Sequence, residues 1–252
     1  MRRNRCAVLC GALALTLLCG CGGEQDASQR HSVALVVKST QSEFFRSVFA
    51  GAEAAAAEYN LELSIAGPET EEDYETQNRL IAEAVRAGAE AIVFSAIDQE
   101  ENAAAIDAAA QAGLQIVTID SSVDSDQVST YIGTNNYAAG QMAADAVLDR
   151  VSGPLYVGVV NYDVGTANGQ ERERGASDAF AASGRAEITA VVNTLTEAGR
   201  AQADTAALLP DHPEIKVLLA LNEPTSVGAA QAVKALGRAV AGGGRPGVPG
   251  GV

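Results

Sequence analysis

Short apolar runs alternate with longer amphipathic stretches from Ser32 to about Gly237. The runs are too short for buried helices and are rich in β-branched residues, so they predict strands. These strands cover Val33–Val37, Leu61–Ile65, Ala91–Phe94, Leu114–Ile119, Val128–Ile132, Leu155–Val160, Ile188–Val192 and Ile215–Leu221. The stretches between them predict helices over Glu43–Tyr59, Glu71–Ala87, Glu100–Ala112, Tyr137–Arg150, Gln170–Ala182, Glu197–Leu208 and Pro224–Leu236.

This alternation indicates an α/β fold with parallel sheets and helices on both faces. A new series of elements begins after Gly133–Asn136, so we predict two Rossmann-like lobes joined there. The N-terminal α/β lobe covers residues 32–134 and the C-terminal α/β lobe covers residues 135–237. Ligands of open α/β sheets bind beyond the carboxyl ends of the strands, so the loops after the strands are the place to look for a site.

Two helix starts carry sequence signals. Asp98 is followed three residues later by Glu101, which resembles a capping box. Thr70 precedes a run of acids, and negative charge in the first turn is favoured by the helix dipole. We therefore expect the second helix to begin at Glu71 and the third near Glu100.

A polar loop, Lys38–Ser42, follows the first predicted strand and leads to two adjacent aromatic residues, Phe44 and Phe45. The loop offers hydrogen-bonding groups and the rings offer flat apolar faces. A sugar uses both, because its hydroxyls need partners and its C–H faces pack on rings. The alternative is that Ser42 is only a helix N-cap and the two rings belong only to the core.

Other strand ends also carry polar residues. Asp120 can accept two sugar hydroxyls at once, although it also suits a turn. Asn222 offers a donor and an acceptor, although Asn-Glu-Pro is equally suited to an N-cap. One of Arg172 and Arg174 could point into a cleft, where a guanidinium donates in a planar fork.

The N-terminus has the pattern of an export signal. A basic start followed by the apolar run Cys6–Cys19 is typical of a secretory signal peptide, here residues 1–20. The run ends in Leu18-Cys19-Gly20-Cys21, which resembles a bacterial lipobox, so we expect lipidation of Cys21 and a membrane anchor without a transmembrane helix. The alternative is an ordinary signal peptide with an incidental Cys. Residues 21–31 would then be the lipidated Cys and a flexible tether.

Composition excludes several classes of function. The net charge of −15 argues against nucleic-acid binding, which needs a basic face. The four cysteines all lie at or before Cys21, so the folded part has no disulfide and no thiolate metal site. The histidines are His31 and His212, and no nucleophile elbow or phosphate loop is present. We therefore predict that the chain is not an enzyme and uses no metal or cofactor.

A family resemblance rests on the segments VALVVKSTQSEFFRSVFAGAEAAAAEY, QNRLIAEAVRAGAEAIVFSAID, AAQAGLQIVTIDSS, YIGTNNYAAGQMAAD, ERERGASDAF and LLALNEPTSVGAAQAVKALG. Because of the order and spacing of these segments, the chain resembles the type 1 periplasmic binding proteins, specifically the ribose/galactose-type sugar-binding lipoproteins of ABC importers. The resemblance implies a pocket formed by Ser39, Gln41, Phe44, Phe45, Asp120, Asn136, Arg172 and Asn222. The two Phe rings would flank the sugar, and Asp120, Arg172 and Asn222 would bind its hydroxyls.

The chain departs from this family at two places. Ser121 stands where ribose-type binders commonly have Arg, which argues against ribose itself as the ligand. After Gly237 the chain reads RAVAGGGRPGVPGGV, whereas the family continues with further strands and crossovers. We therefore expect an incomplete, C-terminally truncated second lobe and a disordered Gly/Pro-rich tail over residues 238–252, from a frameshift or a natural truncation.

The resemblance implies capture of a monosaccharide or related polyol between the lobes and its delivery to the permease subunits of an ABC importer. The alternative is a sugar-sensing input protein for a membrane histidine kinase or chemoreceptor. Either role places a monomer outside the cytoplasm, anchored by Cys21 to the outer face of the cell membrane, or to the periplasmic side if there are two membranes.

Overall fold

The computed structural model describes residues 30–238, which fall almost wholly within one compact unit, His31–Val252. The predicted signal peptide, the predicted lipidation site at Cys21 and residues 239–252 of the predicted tail lie outside the described residues. Over residues 30–238, no helix is both long and apolar enough to cross a membrane.

The N-terminal lobe is built on a parallel sheet of strands β1 (Ser32–Val36), β2 (Glu62–Ala66), β3 (Ala91–Phe94), β4 (Gln115–Ile119) and β5 (Thr130–Ile132). Their order across the five-stranded sheet is β2-β1-β3-β4-β5. The inner strand β1 is covered on both faces, since Val36 packs in one core cluster and Leu35 in another. Double burial explains why its sequence is apolar without interruption.

Three helices cover the N-terminal sheet, namely α1 (Glu43–Glu58), α2 (Tyr74–Arg86) and α3 (Ala103–Gln111). Ile81 of α2 and Ile106 of α3 are fully buried in the cluster that contains Val36. Phe45 of α1 is buried in the cluster that contains Leu35. The helices therefore lie on both faces of the sheet, as the strand–helix alternation predicts.

The C-terminal lobe has a parallel sheet of strands β6 (Leu155–Asn161), β7 (Ala186–Asn193) and β8 (Val217–Ala220), in the order β7-β6-β8. Its helices are α4 (Asn136–Arg150), α5 (Ala167–Ser183), α6 (Ala198–Asp211) and α7 (Glu223–Ala235). Phe180 of α5 and Ala144 of α4 pack with Val157 and Val159 of the central strand. This cluster is the core of the lobe.

Helices α4 and α5 approach each other closely at two glycines. A Cβ atom at Gly140 would overlap the backbone carbonyl of Arg172, and one at Gly175 would overlap the backbone carbonyl of Tyr137. Only glycine permits this backbone contact. The contact brings the first turn of α4, with Asn136, beside Arg172 of α5.

The predicted fold class is confirmed, and each predicted strand is present with ends shifted by a few residues. The predicted start of α2 at Glu71 is wrong. The N-cap is Asp73, whose carboxylate accepts a hydrogen bond from the amide of Thr76 at 2.8 Å. Glu71 and Glu72 consequently lie in the loop before the helix, where they are free to take part in the site.

The expected capping box at Asp98 is also wrong, because α3 begins only at Ala103. The Asp98 carboxylate accepts hydrogen bonds from the amides of Glu100 and Glu101 at 2.9 and 3.0 Å. These bonds close a turn ahead of the helix. The side chain of Asn102 holds this turn in place by accepting from the Asp98 amide at 3.0 Å.

Candidate functional site

The candidate site is centred on Asp120, directly after β4. Its φ of +58° places it in the left-handed region, which Asp tolerates better than most residues. One carboxylate oxygen lies 3.3 Å from the Lys38 ammonium and accepts a hydrogen bond from the Ser95 hydroxyl at 3.0 Å. The other accepts from the side-chain amide of Asn168 at 3.1 Å. Asp120 therefore joins the ends of three strands of the first sheet to α5 of the other lobe.

Lys38 is the buried cation of this site. Its side chain is only 3% exposed, and its ammonium lies 6.0 Å from the centroid of the Tyr162 ring in the C-terminal lobe. Tyr162 in turn donates from its hydroxyl to Asn168 at 2.9 Å. From the sequence Lys38 was placed only in a polar loop, and neither Tyr162 nor Asn168 was predicted to belong to the site. The available sequence signal for Lys38 was its position directly after a buried strand.

Arg172 forms the second part of the site. Its Nε donates to the Asn136 side-chain oxygen at 2.9 Å, and its Nη1 donates to the carbonyl of Leu221 at 2.7 Å. The Asn136 amide reaches the Tyr131 hydroxyl at 3.4 Å, and that hydroxyl donates to the Asp120 carbonyl at 2.9 Å. The predicted residues Asp120, Asn136 and Arg172 are thus brought together around Tyr131, which the sequence analysis did not single out.

Asn222 lies at the edge of this group and acts as a helix cap. Its side-chain oxygen accepts from the Thr225 amide at 3.0 Å, and its own backbone amide donates to the Thr225 hydroxyl oxygen at 3.1 Å. This complete capping box matches the N-cap alternative. The residue still follows Leu221, whose carbonyl holds Arg172.

The two adjacent rings lie in different environments. Phe44 is half exposed, whereas Phe45 is 1% exposed and packs with Leu35 and Val37 in the core. The rings meet edge to face with centroids 5.1 Å apart. Phe45 therefore agrees with the core alternative, and Phe44 is the ring that solvent can reach.

Ser39 and Gln41 shape the first loop. The Ser39 hydroxyl donates to the Glu69 carbonyl at 2.7 Å and accepts from the Gln41 amide at 3.0 Å, and Ser39 is 3% exposed. The Gln41 side chain is exposed and reaches the Thr40 hydroxyl at 3.4 Å. Ser42 was alternatively predicted to be a helix N-cap. It does occupy the N-cap position of α1, but its side chain makes no capping hydrogen bond.

Three further hydrogen bonds join the two lobes, and each has a backbone group as donor or acceptor. The Gly165 carbonyl accepts from the Gln99 amide at 3.0 Å, and the Thr166 hydroxyl donates to the Ile97 carbonyl at 3.1 Å. The Thr196 amide donates to the Glu72 carboxylate at 3.1 Å. The carboxyl ends of the two sheets therefore face each other across the cleft, and the lobes are closed on it.

Burial changes the acidity of several groups in the cleft. It raises the pKa of the Glu71 carboxyl, with nearby Asp120 and Glu72 raising it further and Lys38 opposing the change. Burial likewise raises the pKa of Asp163, although the Gly165 amide bonded to it lowers that pKa. The Tyr162 hydroxyl has its pKa raised, mainly by burial, and therefore stays protonated at neutral pH. All three shifts have burial as their main cause, with neighbouring carboxylates adding to it.

The fold and this cleft define a two-lobed α/β binding protein. The sequence matches the family described as Periplasmic binding protein domain over residues 33–247, and the chain belongs to this family.

Relatives are similar to this chain in sequence, and solved structures are similar to it in fold. The D-ribose/D-allose-binding protein of Pseudomonas aeruginosa is 29% identical over 242 residues, which are 90% of this chain and 76% of that protein. A solute-binding protein of an ABC transporter from Burkholderia multivorans has a TM-score of 0.79 at 28% identity, covering 84% of this chain and 77% of that one. A similar protein from Agrobacterium vitis with bound D-fucose has a TM-score of 0.78 at 26% identity, covering 82% and 73%. These relatives are binding proteins and not enzymes, which agrees with the predicted class.

Proposed function

We propose that this protein is an extracytoplasmic solute-binding lipoprotein that captures a monosaccharide or related polyol between its lobes and delivers it to an ABC importer. The observation that carries the proposal is the Asp120 carboxylate, which Lys38 and Ser95 hold on one lobe and Asn168 approaches from the other. A carboxylate in this position can accept sugar hydroxyls while both lobes contribute donors. A relative named for D-ribose and D-allose and a similar structure with bound D-fucose support the same ligand class.

The ligand contacts are assigned from the hydrogen-bonding groups that each side chain does not use within the protein. Asp120, Asn136 and Arg172 are the polar contacts, and Lys38 joins them. Within residues 30–238, Arg172 uses two of its five N–H donors on protein oxygens, so the others can donate to a sugar. Phe44 supplies an apolar face at the rim. The remaining predicted members act by shaping the site: Ser39, Gln41, Phe45 and Asn222.

Closure and opening of the lobes deliver the ligand in this proposal. The interlobe bonds at Thr166, Gly165 and Thr196 are single hydrogen bonds between loop residues, so they can break and reform as hinge motion separates the sheets. The closed pair of lobes presents one joined surface to permease subunits in the membrane. Lipidation at Cys21 holds the protein near that membrane.

A thermal melt of the chain from Gly22 onward tests ligand capture, because this chain contains the whole unit His31–Val252. It is recorded with a panel of pentoses, hexoses and polyols. A ligand at a hundred times its dissociation constant stabilises the folded state by about 2.7 kcal/mol, which shifts the midpoint by several degrees. A panel in which no monosaccharide or polyol shifts the midpoint contradicts the proposal.

Transport and anchoring are tested in cells. Import predicts that deletion of the gene abolishes uptake of the radiolabelled ligand, whereas a sensing role predicts normal uptake and lost induction. An anchor at Cys21 predicts incorporation of a labelled fatty acid that Cys21→Ser removes and Cys19→Ser retains. Release of the wild-type protein in unlabelled, soluble form contradicts the anchor.

A further inference from the structure

Gln77 is a polar side chain enclosed in the N-terminal lobe. It lies on α2, is 0% exposed, and precedes by one helical turn Ile81, which packs in the apolar core of the lobe. An amide withdrawn from water costs free energy unless its donors and its acceptor are bonded within the protein. The partners of Gln77 therefore show why a glutamine occupies this position.

Backbone groups of two loops bond to the whole Gln77 amide. Its Nε2 donates to the carbonyl of Val37 at 3.0 Å and to the carbonyl of Ser95 at 2.8 Å. Its Oε1 accepts from the amide of Ile97 at 3.1 Å. Both donor hydrogens are used, and the orientation of the amide is fixed because the opposite one would set its oxygen against two carbonyls.

These bonds lie where the pairing of two neighbouring strands ends. The register of β1 with β3 runs as far as Val36 and Phe94, and the amide of Ser95 donates to the Val36 carbonyl at 3.1 Å. Beyond that bond, Gln77 holds both chains by their carbonyls. The side chain thus continues the connection between β1 and β3 into the loops that follow them.

Both loops carry a partner of the Asp120 carboxylate. Val37 directly precedes Lys38, whose ammonium lies 3.3 Å from one Asp120 oxygen. Ser95 donates from its hydroxyl to the same oxygen at 3.0 Å. Gln77 therefore fixes the backbone from which each of these two side chains reaches Asp120.

The third bond of Gln77 leads to a contact between the lobes. Ile97, whose amide Gln77 accepts, receives at its own carbonyl a hydrogen bond from the hydroxyl of Thr166 at 3.1 Å. Thr166 is 2% exposed and caps α5 of the C-terminal lobe. The peptide groups that Gln77 orients thus include one that meets the other lobe.

We propose that Gln77 is a positioning residue of the ligand cleft, which holds Lys38 and Ser95 on Asp120 without touching the ligand itself. The inference rests on the proposed function for what the cleft binds. Binding side chains act at full strength only when surrounding hydrogen bonds hold them within about 0.5 Å of the productive geometry. An apolar side chain at this position leaves two carbonyls and an amide unpaired, so the loops shift to find other partners.

Ligand affinity separates positioning from stability. The chain from Gly22 is titrated calorimetrically with whichever of D-ribose, D-allose and D-fucose gives the largest thermal shift, at a temperature at which melts show each variant folded. Gln77→Met keeps the length of the side chain and removes the amide, and it should weaken binding by about tenfold or more. Gln77→Asn, whose shorter amide cannot span all three partners, is the second variant if Gln77→Met does not fold.

Ile81→Ala is the matched control on the same helix. Ile81 is 1% exposed and packs in the core, so its truncation should lower the melting temperature and leave the affinity unchanged. Equal losses of affinity in Ile81→Ala and the Gln77 variant overturn the positioning role, because they trace the effect to stability alone.

A double-mutant cycle on the ligand-free chain measures the positioning without any sugar. Ser95→Ala removes the hydroxyl that donates to Asp120 and should lower the stability measured by urea denaturation. In the Gln77→Met or Gln77→Asn background, the same change should cost about half as much or less, because Ser95 is no longer held on the carboxylate. The control cycle uses Leu209→Ala, at a buried position on α6, and should be additive.

The two measurements distinguish failure of this inference from failure of the proposed function. Full affinity in a folded Gln77 variant, or an additive cycle with Ser95→Ala, overturns the positioning role of Gln77. If none of the three sugars binds the wild-type chain, the proposed function fails, whereas a non-additive cycle still supports the hold of Gln77 on the partners of Asp120.

Discussion

The side-chain amide of Asn168, near the start of α5, donates to the carboxylate of Asp120 across the cleft at 3.1 Å. Asn168 is 4% exposed, and its oxygen accepts the Tyr162 hydroxyl at 2.9 Å. One amide thus fixes a buried tyrosine of its own lobe and the central carboxylate of the other. The bond occupies one oxygen of the carboxylate that is proposed to accept sugar hydroxyls, so a sugar must share or displace it.

Removing this amide should loosen the closed form. Asn168→Ala leaves the buried Tyr162 hydroxyl and one Asp120 oxygen without a partner, which costs about 1–3 kcal/mol. Urea denaturation of the ligand-free chain measures the loss. The matched control is Asn193→Ala, since Asn193 is exposed at the end of β7 and should change stability by less than about 0.5 kcal/mol. Equal losses of stability in the two variants argue against a stabilising role for the hydrogen bonds of Asn168.

Replacing Lys38 by Met should destabilise the protein strongly. The change leaves the Asp120 carboxylate, 16% exposed, without its cation, and breaking a buried pair on one side costs about 3–5 kcal/mol. Adding Asp120→Asn to Lys38→Met should recover part of the loss. The control is Arg46→Met, which removes the exposed Arg46–Glu43 pair and should cost no more than about 1 kcal/mol. A Lys38→Met variant as stable as that control contradicts the structural role of the pair.

A methyl group at Gly165 should hinder closure of the lobes. The added Cβ would overlap the Asp98 carboxylate, which is held by the amides of Glu100 and Glu101. Gly165→Ala should weaken ligand binding at least tenfold in a calorimetric titration. Small-angle scattering should show a larger radius of gyration without ligand.

Gly51→Ala is the control for Gly165→Ala, because a Cβ at Gly51 on α1 meets no atom within 4 Å. That change should stabilise the helix by about 0.5–1 kcal/mol and leave ligand affinity unchanged. Unaltered affinity in Gly165→Ala would mean that binding does not require the close contact with Asp98.

The acidity of Asp163 predicts a dependence of stability on pH. Burial raises its folded-state pKa above the ordinary value of 3.8, with Asp98 and Glu72 raising it further. A raised carboxyl pKa favours the folded state while the group is protonated, and this contribution is lost as pH rises through the folded-state pKa. Asp163→Asn should therefore raise the melting temperature at neutral pH. The gain should vanish below about pH 4, where the wild-type carboxyl is protonated in both states.

The result is read as the difference between Asp163→Asn and wild type in parallel melts at each pH. Asn can still accept the Gly165 amide, so the local turn is kept. A variant less stable than wild type at neutral pH, or a difference that does not change with pH, contradicts the predicted titration.

The sequence predicted the strands and helices well because their signals are local. β1 and β3 are continuous apolar runs, and each helix has an apolar stripe along one face. Local signals pointed to Asp120 and to one of Arg172 and Arg174, whereas Asn136 and the choice of Arg172 came from the family resemblance. The structure brings Asp120, Asn136 and Arg172 together. Asn222 kept two interpretations because a cap and a ligand contact use the same residue type.

The contacts across the cleft could not be predicted in this way. Lys38, Tyr162 and Asn168 meet only because two separate sheets close on each other, and no periodicity records that geometry. Helical spacing does separate Phe45 from Phe44, because Phe45 lies three and four residues before Val48 and Phe49, with which it packs, while Phe44 points in another direction. Glu71 lies in the loop before α2 because that helix begins at Tyr74, three residues later than predicted.

Capture of a sugar between the lobes is best tested by calorimetric titration with the monosaccharide that gives the largest thermal shift. It compares the wild-type chain with Asp120→Asn on the N-terminal lobe and Arg172→Met on the C-terminal lobe, after melts have established that each variant folds. Capture between the lobes predicts one site per chain and a loss of affinity of tenfold or more in both variants. Binding that survives unchanged in either variant, or no binding by the wild-type chain, contradicts the account.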